Sequence, residues 1–364
     1  MSQFASRRLR PGRPMKHAII VGTGGFGAYW CSEILPSLLA MRLVRTVAAV
    51  DRDPESLRNA QQGLGLPARR CYTDLTRALA ENSADFLIIV VPPSFHETVV
   101  DTALAHDLDI LSEKPIADTI EGTVRIFNKV QRAGRKMAIT MSHRMDQDKQ
   151  TWVAAIASGR YGRLHYIVCR HTHNARTFGS WGRFRHEMQD PLLIEGAVHY
   201  FDTLRAAVNS EAKVVFARSW NPPWGEYAGD SVALVTIDFE NGVHAAYEGS
   251  MTNASSLNDW GEEYFRAECE EATIELDHRR IRILRNADER TLCATDVPIL
   301  SGRLWSHLLI ANQFVDWLDG GPTPATSLED NINSNILVFA AVQSARTGLP
   351  VMVRDFAAAH MIND

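Results

Sequence analysis

The chain has 364 residues, 45% of them hydrophobic and 22% charged, with a formal net charge of −5. That length exceeds one ordinary core and suits two domains. No apolar run approaches the ~20 residues of a membrane span, and the mixed charges point neither to nucleic acid nor to an anionic membrane, so a small molecule is the expected partner. The five cysteines are widely spaced and contain no CxxC pair, as expected of reduced thiols in a cytoplasmic protein. Arg7-Arg8 is followed by Pro11 and Pro14 instead of an apolar region, so residues 1 to 14 read as a flexible basic arm and not an export signal, with Met15 as a second possible start.

His17 to Val21 is a short apolar run, the pattern of a strand buried on both faces of a parallel sheet. Gly22-Thr23-Gly24-Gly25-Phe26-Gly27 follows at once and opens a helix from Ala28 to about Ala40. A G-x-G-x-x-G run between a strand and a helix is the dinucleotide-binding pattern, with Gly22 for the tight turn, Gly24 for backbone approach to a pyrophosphate and Gly27 for helix–strand packing. Asp51 ends the second strand, Thr46 to Val50, where a ribose-binding acid is expected. This favours NAD, with NADP the lesser alternative because Arg52 could stack on adenine or meet a 2'-phosphate.

Strand–helix alternation continues through Cys71-Tyr72, Phe86 to Val91, Leu108 to Leu111 and Met137 to Met141, giving a doubly wound parallel sheet over residues 15 to 142. Ligands in such sheets bind beyond the carboxyl ends of the strands. Pro92-Pro93 with His96, and Glu113-Lys114-Pro115, stand at two of those ends. The lysine between an acid and a proline reads as a placed charge, and its bond to Pro115 is a candidate cis peptide.

From residue 143 the pattern changes to short alternating runs, among them Tyr166 to His173, Val214 to Ser219, Ser231 to Phe239 and Tyr264 to Cys269. These predict an open, mostly antiparallel sheet in a second domain over 143 to 364, making the whole chain α/β plus α+β. A late helix, about residues 330 to 347, is expected to pack back on the first domain. Between the first two strands of this domain, Pro191 can start a helix that carries Glu195, His199 and Asp202 at i, i+4 and i+7. Glu195 could then orient the His199 imidazole for proton transfer, although a solvated acid–histidine pair has the same spacing. His171 and His173 stand at i, i+2 as metal ligands could, but no third ligand accompanies them and no metal is expected.

Taken together, Gly22/Gly24/Gly27, Asp51, Pro92-Pro93 with His96, Glu113-Lys114-Pro115 and the Gly196, His199, Asp202 run resemble the glucose-fructose oxidoreductase, inositol dehydrogenase and rhizopine-catabolism (Gfo/Idh/MocA) family, from about Lys16 to the C-terminus. The resemblance implies an NAD(P)-dependent oxidoreductase of a sugar, glycoside or cyclic polyol, with Lys114 and His199 as the catalytic pair and Glu195 where the family usually has aspartate. Gly22, Gly24, Gly25, Phe26, Gly27, Asp51, Arg52, Pro92, Pro93, His96, Glu113 and Lys114 would hold the cofactor. The same resemblance puts His143, Arg144, Asn174, Trp181 and Arg183 against substrate. Trp260, with Asp259 beside it, is placed there by spacing alone. It also implies a homodimer or homotetramer formed through the second sheet. The family's triple glycine before this helix is replaced by Gln189-Asp190-Pro191. Within the family the alternative is a redox-neutral glycosidase that retains NAD. Outside enzymology the alternative is a silent NAD(H)-binding regulator, which loss of Lys114 or His199 would have signalled.

Overall fold

A computed structural model describes residues 14–302 and 304–361, so the expected basic arm lies outside the described residues except for Pro14. The chain divides into two compact units. The first holds the residues up to Met141 together with Leu304–Ile332, and the second holds Ser142 to residue 302 together with the residues from Asn333.

The first unit is built on six parallel strands: β1 Lys16–Val21, β2 Val44–Val50, β3 Cys71–Tyr72, β4 Phe86–Ile89, β5 Asp109–Ser112 and β6 Met137–Ile139, in the order β3-β2-β1-β4-β5-β6. The order reverses at β1, and the doubly wound topology places the ligand crevice at that reversal. Ala18, Ile19, Ile20, Ile110 and all of β4 are fully buried, which is why these strands read as continuous apolar runs and not as alternation. Helices cover them, and three start at side-chain caps: Asp53 accepts from Glu55 N and Ser56 N, Asp74 from Arg77 N, and Thr119 from Gly122 N.

The tail of the chain is divided differently from the expectation. Helix Ser306–Leu318 belongs to the first unit: Phe314 packs edge-on against Phe86 at 5.2 Å, Lys136 Nζ donates to Trp317 O at 2.5 Å, and Lys16 pairs with Asp319 at 2.8 Å. The long helix Leu328–Thr347 leaves only its first turn there. Its remainder groups with the second unit, where Ser334 bonds Arg205 and Asp202, and Ser344 Oγ accepts from Ala217 N. The helix is buried nearly all round, although half its residues are polar, and it shows no single apolar stripe, so sequence alone did not tell which neighbour it would bury against.

The second unit carries nine strands: β7 Leu164–Thr172, β8 Ala212–Trp220, β9 Val232–Phe239, β10 His244–Ser250, β11 Tyr264–Cys269, β12 Thr273–Asp277, β13 Arg280–Asn286, β14 Leu292–Val297 and β15 Val351–Met352. Their order is β14-β13-β12-β11-β7-β10-β9-β8-β15, antiparallel except for the pairing of β7 with β10. Alternation along β9 buries Ala233, Val235, Ile237 and Phe239 and turns Leu234, Thr236 and Asp238 outward. The run that becomes β14 shows no such alternation, because it is an edge strand exposed on both faces. Among the described residues no helix is long and apolar enough to cross a membrane.

Candidate active site

The site residues fall in both units, and each half has its own construction. In the first unit, Gly22 sits at φ 93°, where a Cβ would meet Val90 O at 2.2 Å, and a Cβ on Gly27 would meet Gly22 O at 2.3 Å. The turn thus tolerates no side chain at either position. Gly24 is enclosed differently from the expectation, since a Cβ there would meet Ser56 Oγ at 2.8 Å. The glycine whose missing side chain leaves open space is Gly25, at φ 53° at the head of helix Phe26–Tyr29. Asp51 Oδ2 accepts from Thr23 N at 2.6 Å, Thr23 Oγ1 at 3.2 Å and Gly24 N at 3.1 Å, and Oδ1 accepts from Asp53 N at 2.9 Å. A carboxylate has about four acceptor positions, so Oδ1 retains capacity for a ribose hydroxyl while Oδ2 braces the turn. The bare turn, the helix head and the acid at the end of β2 fit a dinucleotide.

Three expected cofactor residues do structural work as well. His96 is buried, with Nδ1 3.1 Å from Ile116 O and Nε2 2.9 Å from Val91 O, so it ties the loop after β4 to the segment beyond Lys114-Pro115. The Arg52 guanidinium lies 5.1 Å from the centre of the Phe95 ring, just past Pro92 and Pro93. Glu113 is buried, accepts from Trp30 Nε1 at 2.9 Å and lies 3.3 Å from His307 Nε2. Burial pushes its carboxyl up, but His307 and Trp30 outweigh that and hold it below the usual carboxylate range. Trp30 begins a π-helical turn, Trp30–Ile34, in the middle of the helix that the glycine turn opens. Lys114 is half-buried and its bond to Pro115 is cis.

In the second unit Pro191 precedes another π-helical turn, Leu192–Ala197, which continues as helix Val198–Val208. Glu195 lies in the wide turn and His199 and Asp202 in the regular helix, so the expected single α-helical stripe is interrupted between the first two. Glu195 is fully buried and its Oε2 accepts from Arg185 Nε at 2.6 Å. Asp202 accepts from Ser334 Oγ at 2.8 Å and from Arg144 Nη1 at 3.4 Å, a fold-bracing arrangement.

The His199 ring stacks on His143, with centroids 4.0 Å apart and planes 15° apart. Trp260 stands edge-on to both, at 5.4 Å from His143 and 6.2 Å from His199. Behind them, His143 Nδ1 lies 3.2 Å from Glu263 Oε1, and Lys149 Nζ donates to Glu263 Oε2 at 2.6 Å. Glu263 and Lys149 are each about 1% exposed. Burial opposes both charges, yet the Lys149 ammonium holds the Glu263 carboxyl well below its usual range and Glu263, with Asp146 and Asp148, raises Lys149. His171, packed on Trp260 at 4.3 Å and on Tyr200 at 5.1 Å, is pushed down to about 3 by burial and stays a neutral core imidazole.

His171 and His173 do not act as a pair, since β7 ends at Thr172 and His173 Nδ1 turns to Asp259 at 2.6 Å. Among the described residues no group of three side chains could hold a metal ion. Of the expected substrate residues, His143 and Trp260 meet His199, and Trp181 joins through Trp260 at 6.2 Å. Arg183 instead lies over Phe178, and Asn174 Nδ2 donates to Ala254 O. The guanidinium beside Glu195 belongs to Arg185, which also lies over Trp181. Sequence reading missed Lys149, Glu263 and the pairing of Arg185 with Glu195: Arg185 is one arginine in a loop of several, and no motif connects Lys149 to Glu263 across 114 positions.

Residues 16–141 match a family model described as "Oxidoreductase family, NAD-binding Rossmann fold", and residues 153–353 match its companion, "Oxidoreductase family, C-terminal alpha/beta domain". The chain is 45% identical, over 92% of its length and 95% of the relative's, to the uncharacterized protein y4oX of Sinorhizobium fredii. It is 29% identical, over 79% of its length and 71% of the relative's, to 1-carboxy-3-chloro-3,4-dihydroxycyclohexa-1,5-diene dehydrogenase of Comamonas testosteroni. An oxidoreductase from Agrobacterium radiobacter, crystallised with NAD+, L-tartaric acid and magnesium, superposes with a TM-score of 0.78 at 21% identity, over 93% of this chain and 99% of that one, and so shares the fold.

Proposed function

The chain belongs to the Gfo/Idh/MocA family of NAD-binding oxidoreductases, and within it we propose a cytoplasmic dehydrogenase that oxidises a ring CH–OH of a sugar, glycoside or cyclic polyol. The observation that carries this reading is the His199 imidazole, stacked on His143 with Trp260 edge-on to both rings, His143 in turn lying against the buried Glu263 carboxylate. An imidazole so held can take a hydroxyl proton, and aromatic rings beside it suit the apolar face of a sugar ring. The relative whose name describes a dihydroxy-substituted ring agrees with a cyclic diol.

In this reading His199 receives the O–H proton and Lys114 is the second residue assigned to proton transfer, while Glu195 and Arg185 fix the π-helical turn before the imidazole. NAD, when bound, supplies the hydride acceptor. The chain's own task is to orient the substrate and exclude water. Asp51 beside the adenosine ribose would repel a 2'-phosphate, so NAD is preferred over NADP. The outward face of the nine-stranded sheet, with Leu234, Thr236 and Asp238 exposed in turn along β9, suits a homodimer or homotetramer. Light scattering on the purified protein tests that assembly.

The deciding experiment offers sugars, inositols and nitrophenyl glycosides with NAD+ and follows NADH absorbance and nitrophenol release. NADH formation with a sugar or inositol is the expected result. Nitrophenol release without net NADH would replace it with redox-neutral glycoside cleavage, and no turnover across the panel would refute the substrate class.

A further inference from the structure

Glu113 has a partner that no sequence motif announces. His307, in the first turn of helix Ser306–Leu318, puts Nε2 3.3 Å from Glu113 Oε1, the oxygen that also accepts from Trp30 Nε1 at 2.9 Å. Oε2 accepts from Lys114 N at 3.4 Å. The imidazole is 11% exposed and the carboxylate 10%. Burial opposes the Glu113 charge, and His307 is the neighbour that does most to hold the carboxyl below its usual range. The carboxylate takes the hydrogen on Nε2 whether the ring is charged or neutral, so Nδ1 is the position that gains or loses a proton. Nδ1 lies 3.3 Å from Ser306 Oγ, and a hydroxyl rotates to accept from a charged ring or to donate to a neutral one. Ser306 itself holds φ 53°, a conformation that a residue with a side chain rarely adopts, at the position that partners the imidazole. The ring can therefore change its charge without losing a contact.

The rest of the ring meets the helix that the glycine turn opens. Phe26 packs on it at 5.5 Å and Trp30 stands edge-on at 5.6 Å, with Tyr29 beyond Phe26 at 5.6 Å. The titratable groups around His307 are thus Glu113 and its neighbour Lys114 on the segment after β5, and Tyr29 on the helix. We propose that His307 is a cofactor-positioning residue: it takes up a proton from solvent at Nδ1 when a dinucleotide's pyrophosphate occupies the glycine turn, and the charged ring then pairs with Glu113 and holds Phe26 at the head of the helix. This rests on the dinucleotide reading of the first unit. With the ring neutral, the buried couple carries the uncompensated charge of Glu113, which repels an anion bound at the turn; with the ring charged, the couple is neutral and that repulsion is gone. The anion favours the charged ring, and by reciprocity the charged ring favours the anion.

Calorimetric titration of the full chain with NAD+, and with ADP-ribose, which keeps the pyrophosphate and lacks the nicotinamide, tests this. In two buffers of different ionisation heat at about pH 6.5, both compounds are expected to bind with net proton uptake. Affinity is expected to fall roughly fivefold from about pH 6 to about pH 8, because the form that binds the anion better is the protonated one. His307→Gln, whose amide still donates to Glu113 but carries no charge, is expected to bind both compounds without proton uptake and with an affinity that no longer changes over that range. If His307→Gln loses the same factor of affinity at every pH and still takes up the proton, the contact is only structural and the proposal is overturned. Wild type that binds ADP-ribose without proton uptake overturns it as well, and that outcome needs no variant to fold. No binding of either compound by wild type would refute the dinucleotide reading together with the proposal, whereas the two preceding outcomes leave that reading standing.

Discussion

In the first unit the groups offered to a ligand are main-chain ones, delivered by a single turn from Gly22 to Gly27 and braced by one carboxylate, Asp51. The second unit offers side chains: His143, His199 and Trp260 converge from separate elements over the buried Lys149–Glu263 pair. Backbone recognition needs the absence of atoms, so it is tolerant of surroundings and intolerant of a methyl group. Side-chain recognition needs a supporting shell whose own charges must be balanced. The two halves should therefore fail in different ways.

The largest effect is expected where the supporting shell is broken on one side. Lys149→Met leaves the Glu263 carboxylate buried without its cation, and Asp148 beside it, which costs about 3–5 kcal/mol. Urea unfolding should show that loss, and Lys149→Met/Glu263→Leu should regain most of it. A single variant as stable as wild type would mean that water reaches Glu263.

Next come the imidazole and the lysine. His199→Ala and Lys114→Ala should each lower kcat by roughly 10²-fold or more, the usual scale for proton-transfer groups, with NAD affinity nearly unchanged. Calorimetry with NAD+ separates the two readouts, and a His199→Ala enzyme with wild-type kcat would assign the proton to Lys114 alone.

Asp51→Ala acts on the other half. It removes the brace of Thr23 N and Gly24 N as well as the ribose contact, so NAD affinity should fall about tenfold or more, and the preference for NAD over NADP should narrow. Equal or tighter NADP binding by wild type would show that Arg52, which lies over Phe95, governs the pocket instead.

The contrast also explains what was readable beforehand. The turn, Asp51 and Glu113-Lys114-Pro115 are contiguous motifs at strand ends, and the buried parallel strands announce themselves as apolar runs, so the first unit was legible nearly in full. In the second unit the alternation of β7 to β13 gave the sheet, and the spacing of Glu195, His199 and Asp202 gave a helix. Two π-helical turns were invisible because they change no periodicity long enough to detect. The partner of Glu195 was also hidden, since Arg185 competes with Arg176 and Arg183 in one loop and only packing against Trp181 selects it. Glu263 could not be found at all, because a buried ion pair far apart in sequence leaves no local signal.

The smallest effect belongs to a carboxylate with more cations beside it than Glu263 has but far more water. On the surface of the first unit Glu97 bonds Arg125 at 2.8 Å and Lys129 at 2.9 Å, and Lys129 also pairs with Asp101 at 2.7 Å. The Arg125 bond, more than the Lys129 one, holds the Glu97 carboxyl down to about 2 against an ordinary 4.5. Because the folded value is the lower one, the pairing stabilises the fold above the ordinary value and the contribution disappears as pH falls from about 5 to about 2. Its size is limited by exposure, since the Arg125 side chain is 49% accessible and Glu97 24%. Glu97→Gln should therefore cost no more than about 1 kcal/mol at neutral pH, less at high salt, and nothing near pH 2. Melting curves of wild type and variant across pH and salt check this. If the difference were as large as that for Lys149→Met, or indifferent to salt, burial would not be what distinguishes the two carboxylates.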